Sequence, residues 1–280
     1  FLGADPAMFA GTILACDMGG GALAQQLTQD HDAALLGGVL TGSMLGATIV
    51  FTIPVAMGIL KEEDHPAMAK GILCGIVTIP VGIIVGALVA GFAIGMVLRN
   101  LIPIVIIAAL IALGLWKAEK AMGKGVVAVV TVGLAAAIFK ALTGIAIIPG
   151  MAPIEEGYAT VGSIAIVLAG AFPLVSILKK LLNKPLMALG RVLGINDAAA
   201  TGLLASLANV IPALGLLRDM NPRGKVVNIA FAVSAAFVFG DHLGFTAGFA
   251  PEMLLSVIAG KLAGGVSAVA VALLLTKKEE

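Results

Sequence analysis

Nine long apolar blocks, separated by short charged or Pro/Gly-containing connections, constrain this chain more than any other feature: 6–27, 33–60, 69–98, 101–116, 126–148, 160–178, 197–217, 226–250 and 253–275. A helix rises about 1.5 Å per residue, so about 20 residues cross the roughly 30 Å hydrocarbon layer of a membrane. Most of the blocks are long enough. Composition agrees: 60% of the 280 residues are hydrophobic and 12% are charged, against about 25% charged in soluble domains, and mean hydropathy is +1.12. A water-soluble globular fold is excluded, and an all-α polytopic membrane protein surrounded by lipid is expected. The net charge is +1 and no basic tract is longer than Lys179-Lys180, so no nucleic-acid partner is expected.

Several blocks carry helix-breaking residues: Gly19-Gly20-Gly21 in the first, Pro54 in the second, Pro80 in the third, Pro173 in the sixth and Pro212 in the seventh. Backbone groups freed at membrane depth are tolerated only where protein or a wet cavity satisfies them. Such helices line something, or else the small residues serve close helix packing. A long-range repeat accompanies them. Leu2-Gly3-Ala4-Asp5-x-Ala7-x3-Gly11 aligns with Leu193-Gly194-Ile195-Asn196-x-Ala198-x3-Gly202, and Gly71-x-Leu73-x-Gly75-x-Val77-Thr78 aligns with Gly260-x-Leu262-x-Gly264-x-Val266-Ser267. Two matches at nearly one offset make the first three blocks and the last three copies of one unit.

Charge gives the orientation of the copies. If all nine blocks span, the loop basic residues divide nine against six, a weak bias for the positive-inside rule. If the first and seventh blocks are re-entrant hairpins, fourteen loop basic residues from Lys61 to Lys278 share one face and Arg99 alone opposes them. The second division is preferred, and it inserts the two hairpins from opposite faces, as inverted-topology repeats do. Residues 1–98 are then a first repeat, 99–154 connecting transmembrane helices and 155–280 a second repeat, all in one integral membrane domain. The first repeat has no counterpart to the sixth block or to 179–196, and Phe1 is not an initiating Met. The expectation is a chain that begins partway through a longer one.

Four charged residues lie well inside blocks: Asp17, Lys140, Asp241 and Lys261. An ionised group at depth costs several kcal/mol unless it is paired, neutralised or facing a polar path. The lysines are read as snorkelling to the lightly charged face, which the short aspartates are unable to do. Asp17 belongs to Cys16-Asp17-Met18-Gly19-Gly20-Gly21 at the expected tip of the first hairpin, where the glycines permit backbone turns and close approach. Asn209-Val210-Ile211-Pro212 is the equivalent tip in the second copy. Asp241 and His242 form a polar pair inside Phe239-Gly240-Asp241-His242-Leu243-Gly244-Phe245, either functional or pairing with neighbours at a bend. Cys16 and Cys74 read as packing residues rather than a disulfide.

Other chemistries find little support. His31, His65 and His242 lie in different segments without partners at metal spacing, and there is no phosphate loop, nucleophile elbow or dinucleotide fingerprint. No metal, cofactor or nucleotide-driven step is expected. The Tyr-Asp and Gly-x-Gly-Asp elements of intramembrane aspartyl proteases are each incomplete, reading Cys16-Asp17 and Val238-Phe239-Gly240-Asp241 here.

Four stretches carry a resemblance: Gly3 to Gly20, Gly42 to Gly58, Phe231 to Phe245, and Arg223-Gly-Lys-Val-Val-Asn228. The chain resembles the ethanolamine-utilisation permeases, the EutH family of bacteria, whose members have further hydrophobic segments before the Gly-Ala-Asp-Pro region. The resemblance implies carrier-mediated uptake of ethanolamine across the inner membrane without enzymatic turnover, with a channel as the rival reading. Ethanolamine is mainly a primary ammonium near neutral pH, so its site needs a carboxylate for the cation and polar groups for the hydroxyl. Asp17 and Asp241 are assigned to the first task and Asn209 and His242 to the second, in one cavity, with Gly19, Gly20 and Gly21 as hairpin-tip backbone. The sequence leaves open a homo-oligomer, a coupling ion and the kind of motion.

Overall fold

The computed structural model describes residues 3–14, 16–148, 154–155, 173, 177, 180–181 and 183–277; the side chains of Asp17 and of residues 111–130 are among those it does not describe. Most of the sixth block thus lies outside the described residues. Every regular element among those described is a helix, as the block lengths require. Among the described residues, three helical runs are long and apolar enough to cross a membrane: His31–Ile59, Glu62–Ala90 and Pro251–Leu275. They correspond to the second, third and ninth blocks.

Local chemistry accounts for their joints. Pro80 sits in the first turn of Ile79–Ala90, where its missing N–H has no helical acceptor to lose. It therefore starts a helix after a joint at Val77 and Thr78. The run stops at Gly91, whose left-handed φ of 78° caps it, short of the expected end at 98. In the second block the spiral widens to i→i+5 bonding over Leu36–Gly46 and again over Thr48–Thr52, a rare geometry that recurs at functional sites.

The remaining blocks depart from the reading of one span each. The fourth and fifth are continuous in one 50-residue helix, Ile94–Thr143, about 75 Å at the usual rise. The charged stretch from Lys117 to Lys124, read as a connection, is helical. The eighth block divides into Pro222–Ala235 and Asp241–Phe249.

Glycine governs the packing at the centre. His65–Ile76 lies along Pro222–Ala235, and Ile79–Ala90 lies along Leu254–Leu275. Gly71 and Gly75 take the side chains of Ile229 and Val233, while Gly82 and Gly86 meet Gly260 backbone to backbone or nearly so. This is association through small residues, the alternative use of glycine weighed above.

The two ends of the bundle differ in charge. At one, His31 approaches Glu252 within 3.9 Å, joining the starts of two long runs. At the other, Lys70 donates to the Leu275 carbonyl at 2.8 Å and Arg223 to that of Thr276 at 3.3 Å. There too Lys225 bridges the buried carboxylate of Asp64 at 2.5 Å. Arg99 belongs to the first end, where its Nε donates to the Gly3 carbonyl.

Candidate functional site

The first and seventh blocks are each broken at an extended residue. Ala7–Phe9 widens into Ala10–Leu14, and a new helix, Asp17–Leu27, begins after Cys16, whose φ and ψ are −72° and 177°. Asp197–Ala208 and Val210–Leu216 meet at Asn209, with φ −159° and ψ 141°. The longest limb has 12 residues, about 18 Å, which falls short of the roughly 30 Å layer.

The ends of each broken block are bonded to each other. Thr28 Oγ1 donates to Asp5 Oδ2 at 2.9 Å, at the Arg99 end of the bundle. Asn196 Nδ2 donates to the Asp219 carbonyl at 2.8 Å and Asn221 Nδ2 to that of Gly194 at 3.3 Å, beside the helix that carries Arg223 and Lys225. The aligned motifs also share local form. Gly3 and Gly194 have φ of 79° and 68°, a left-handed conformation that favours glycine. Two residues later, Asp5 accepts from the Ala7 N–H at 2.9 Å and Asn196 from the Ala199 N–H at 3.1 Å, so each side chain caps the helix that follows.

The expected tip residues occupy these joints with altered roles. Asp17 is the first residue of its helix. Gly19, Gly20 and Gly21 are helical, and none has a left-handed φ; the joint falls on Cys16, which corrects the expectation that the glycines turn the chain. Their use is close approach. A Cβ at Gly21 would lie 2.9 Å from the Phe249 ring, and one at Gly38 would lie 2.7 Å from Gly21 Cα. Asn209 is buried and its Oδ1 accepts from the Ile211 N–H at 2.9 Å, capping the short second limb. That leaves the Nδ2 donors, not the oxygen, as its main resource for a ligand.

The eighth block breaks where it meets the seventh. Phe237 N–H donates to the Ser206 carbonyl at 2.9 Å and Phe239 N–H to that of Leu207 at 2.8 Å, filling acceptors that a helix C-terminus leaves open. A Cβ at Gly240 would run into the Ala208 carbonyl. Phe237 has a φ of 65°, which costs a bulky residue about 1–3 kcal/mol and persists only where its surroundings over-determine it. Its ring is held edge-on by Phe51 at 5.6 Å and lies 4.9 Å from His242.

Asp241 and His242 begin the next helix from this knot. His242 is buried, whereas Asp241 is exposed at the first residue of Asp241–Phe249. That helix rests on Asp17–Leu27 where Phe245 and Phe249 cover Gly21. Both aspartates thus start helices that touch. A helix N-terminus favours a carboxylate by about 0.3–2 kcal/mol.

Lys261 is the largest difference from expectation. Rather than snorkelling, it is completely buried, and its Nζ donates to the Ser43 carbonyl at 2.5 Å within the widened turns of the second block. That bond ties the ninth block to the second. Lys140, by contrast, lies in the last turn of its helix and is half-buried. Both cysteines are free thiols. Among the described residues no group of His, Cys, Asp and Glu is placed to hold a metal ion.

Comparison with known proteins covers nearly the whole chain. The family described as "Ethanolamine utilisation protein, EutH" matches residues 1–275. A protein of Listeria monocytogenes named "Probable ethanolamine permease EutH" is 58% identical over 284 residues, spanning 99% of this chain and 76% of the relative. "Uncharacterized protein YxeR" of Bacillus subtilis is 52% identical over 98% of this chain and 76% of its own length. "Probable ethanolamine permease EutH" of Escherichia coli is 47% identical over 100% and 76% respectively. No solved structure matches.

Proposed function

The chain belongs to the family of the ethanolamine utilisation protein EutH, and on that premise we propose that it is a carrier that takes up ethanolamine across the bacterial inner membrane by secondary transport. No chemical turnover of the substrate is involved. The first and seventh blocks act as re-entrant hairpins entering from opposite faces, and residues 1–98 and 155–280 act as inverted repeats joined by 99–154.

The observation that carries this reading is the pair of broken blocks. Each has its two ends bonded together, Asp5 to Thr28 at one end of the bundle and Asn196 to Asp219 at the other. Inverted repeats of this kind place a substrate at mid-depth, among half-helix ends and unwound backbone. The ammonium is taken by Asp17 and Asp241, whose helices meet at Gly21. The hydroxyl is taken by the carboxamide of Asn209 and the ring of His242. Limbs too short to cross the layer leave a water path from each face toward this region, and relative movement of the repeats exposes it alternately.

The test is uptake of labelled ethanolamine into vesicles carrying the protein. A carrier gives saturable entry, non-saturating flux would indicate a channel, and recovery of altered substrate would indicate an enzyme.

A further inference from the structure

Lys261 is a buried titratable group that the transport reading leaves without a task. It lies at mid-helix in Leu254–Leu275, wholly inaccessible, with its Nζ on the Ser43 carbonyl. Ser43 belongs to Leu36–Gly46, where backbone bonding runs i→i+5. A carbonyl has two lone pairs, so it can accept from an outside donor as well as from within its own helix. One helical turn along the same face of the ninth block, Gly264 abuts the hydroxyl of Ser234, a buried oxygen without a hydrogen-bond partner among the described residues. The locus therefore presents a backbone carbonyl oxygen to a fixed positive charge, with a hydroxyl oxygen one helical turn along Leu254–Leu275. Broken-helix carriers offer oxygens of this type to alkali cations.

Resting on the transport reading, we infer that the ammonium of Lys261 is the resident cation of this site. It occupies the oxygen environment that would otherwise recruit an alkali metal ion, and ethanolamine is moved without Na⁺ or K⁺ as co-substrate. A tethered ammonium serves the same electrostatic purpose as a bound ion. It balances the local carbonyl dipoles and holds the second block to the ninth. Unlike a bound ion it does not leave when the site opens, so an alkali gradient has nothing to act on.

The experiment is initial-rate uptake of ethanolamine by the full chain in proteoliposomes, with Na⁺, K⁺ or N-methyl-D-glucamine as the only major external cation. The expected result is rates equal within about twofold in the three media, since a difference of 1.4 kcal/mol would already be tenfold. Lys261→Met, which keeps the bulk and removes the charge, is expected to slow uptake by about tenfold or more in every medium. Lys261→Ala, which opens space beside Ser43, is expected to be slow in N-methyl-D-glucamine and faster in Na⁺ or K⁺, an ion response that mere loss of packing does not produce. Na⁺- or K⁺-stimulated uptake by the unaltered chain overturns the inference and leaves ethanolamine transport standing. So does a Lys261→Met variant with the original rate, or a Lys261→Ala variant indifferent to the medium. Absence of uptake in all three media removes the transport reading and this one with it. The comparison of media on the unaltered chain requires no substitution, so it decides the matter even where a variant fails to fold.

Discussion

Substitution of Gly82 or Gly260 by Ala tests the seam that fixes Lys261. A Cβ at Gly82 would stand 2.7 Å from the Gly260 carbonyl oxygen, and a Cβ at Gly260 would stand 2.7 Å from that of Gly82 and 3.1 Å from Gly86 Cα. All three obstructing atoms are backbone, so no rotamer change relieves the contact. Ordinary separations of about 3.4 Å or more require the helices to part by roughly 0.5–1 Å, and gaps of that size forfeit a quarter to a half of the dispersion energy of the atoms concerned. Overpacking of this kind costs about 1–3 kcal/mol, against a gain of up to about 1 kcal/mol from replacing Gly by Ala in a helix. Each variant should lose about 1–2 kcal/mol net, and the double variant less than the sum, because the first substitution has already parted the helices. Gly95, in the helix Ile94–Thr143 with nothing within 4 Å of its Cβ position, is the control and should be neutral or slightly stabilised by Ala. Thermal unfolding of purified protein reads these as shifts of about 2–4 °C per kcal/mol. If Gly82→Ala melts with or above Gly95→Ala, or if the two seam substitutions are strictly additive, the close backbone contact is not what holds these helices.

Asp17→Asn and Asp241→Asn should each weaken ethanolamine binding by about 2–5 kcal/mol, the usual loss when a carboxylate contacting a cation is neutralised; normal calorimetric affinity in both variants would remove the proposed ammonium site. Asn196→Ala removes a cap together with the bond from Nδ2 to Asp219 and should cost about 1–2 kcal/mol in chemical denaturation; no measurable loss would mean that the ends of the seventh block do not depend on that tie. Lys225→Met leaves the Asp64 carboxylate, only 2% exposed, without its cation and should cost about 3 kcal/mol. Adding Asp64→Asn should restore much of that loss, and a double variant no more stable than Lys225→Met would argue against the pair.

Local chemistry was legible in the sequence wherever it decided the structure. The left-handed turns at Gly3 and Gly194 and the caps at Asp5 and Asn196 follow from residue types in an aligned motif. The joints of the first and seventh blocks likewise fall among the polar residues singled out, at Cys16 and Asn209. Where distant contacts decide, hydropathy carries no signal. The position of Lys261 depends on a carbonyl 218 positions away, whereas its own helix favoured snorkelling. The break at Ala236–Gly240 is set by docking on Ser206 and Leu207; the four residues before Gly240 are apolar and look like continuous helix. The i→i+5 turns over Leu36–Gly46 keep the block apolar throughout, so its composition does not distinguish them from an α-helix. The long helix Ile94–Thr143 crosses a charged stretch rich in Lys, Glu and Ala, good helix formers whose charges suggested a connection.

Counterflow most directly tests whether this fold is an ethanolamine carrier. Proteoliposomes are loaded with excess unlabelled ethanolamine, diluted into a trace of labelled ethanolamine, and followed in time. A binding site exposed alternately to the two sides forces exchange, so the internal label should rise transiently above equilibrium and then decay, and Asp241→Asn should abolish the overshoot. Monotonic equilibration with no overshoot, at rates proportional to concentration, would contradict the account.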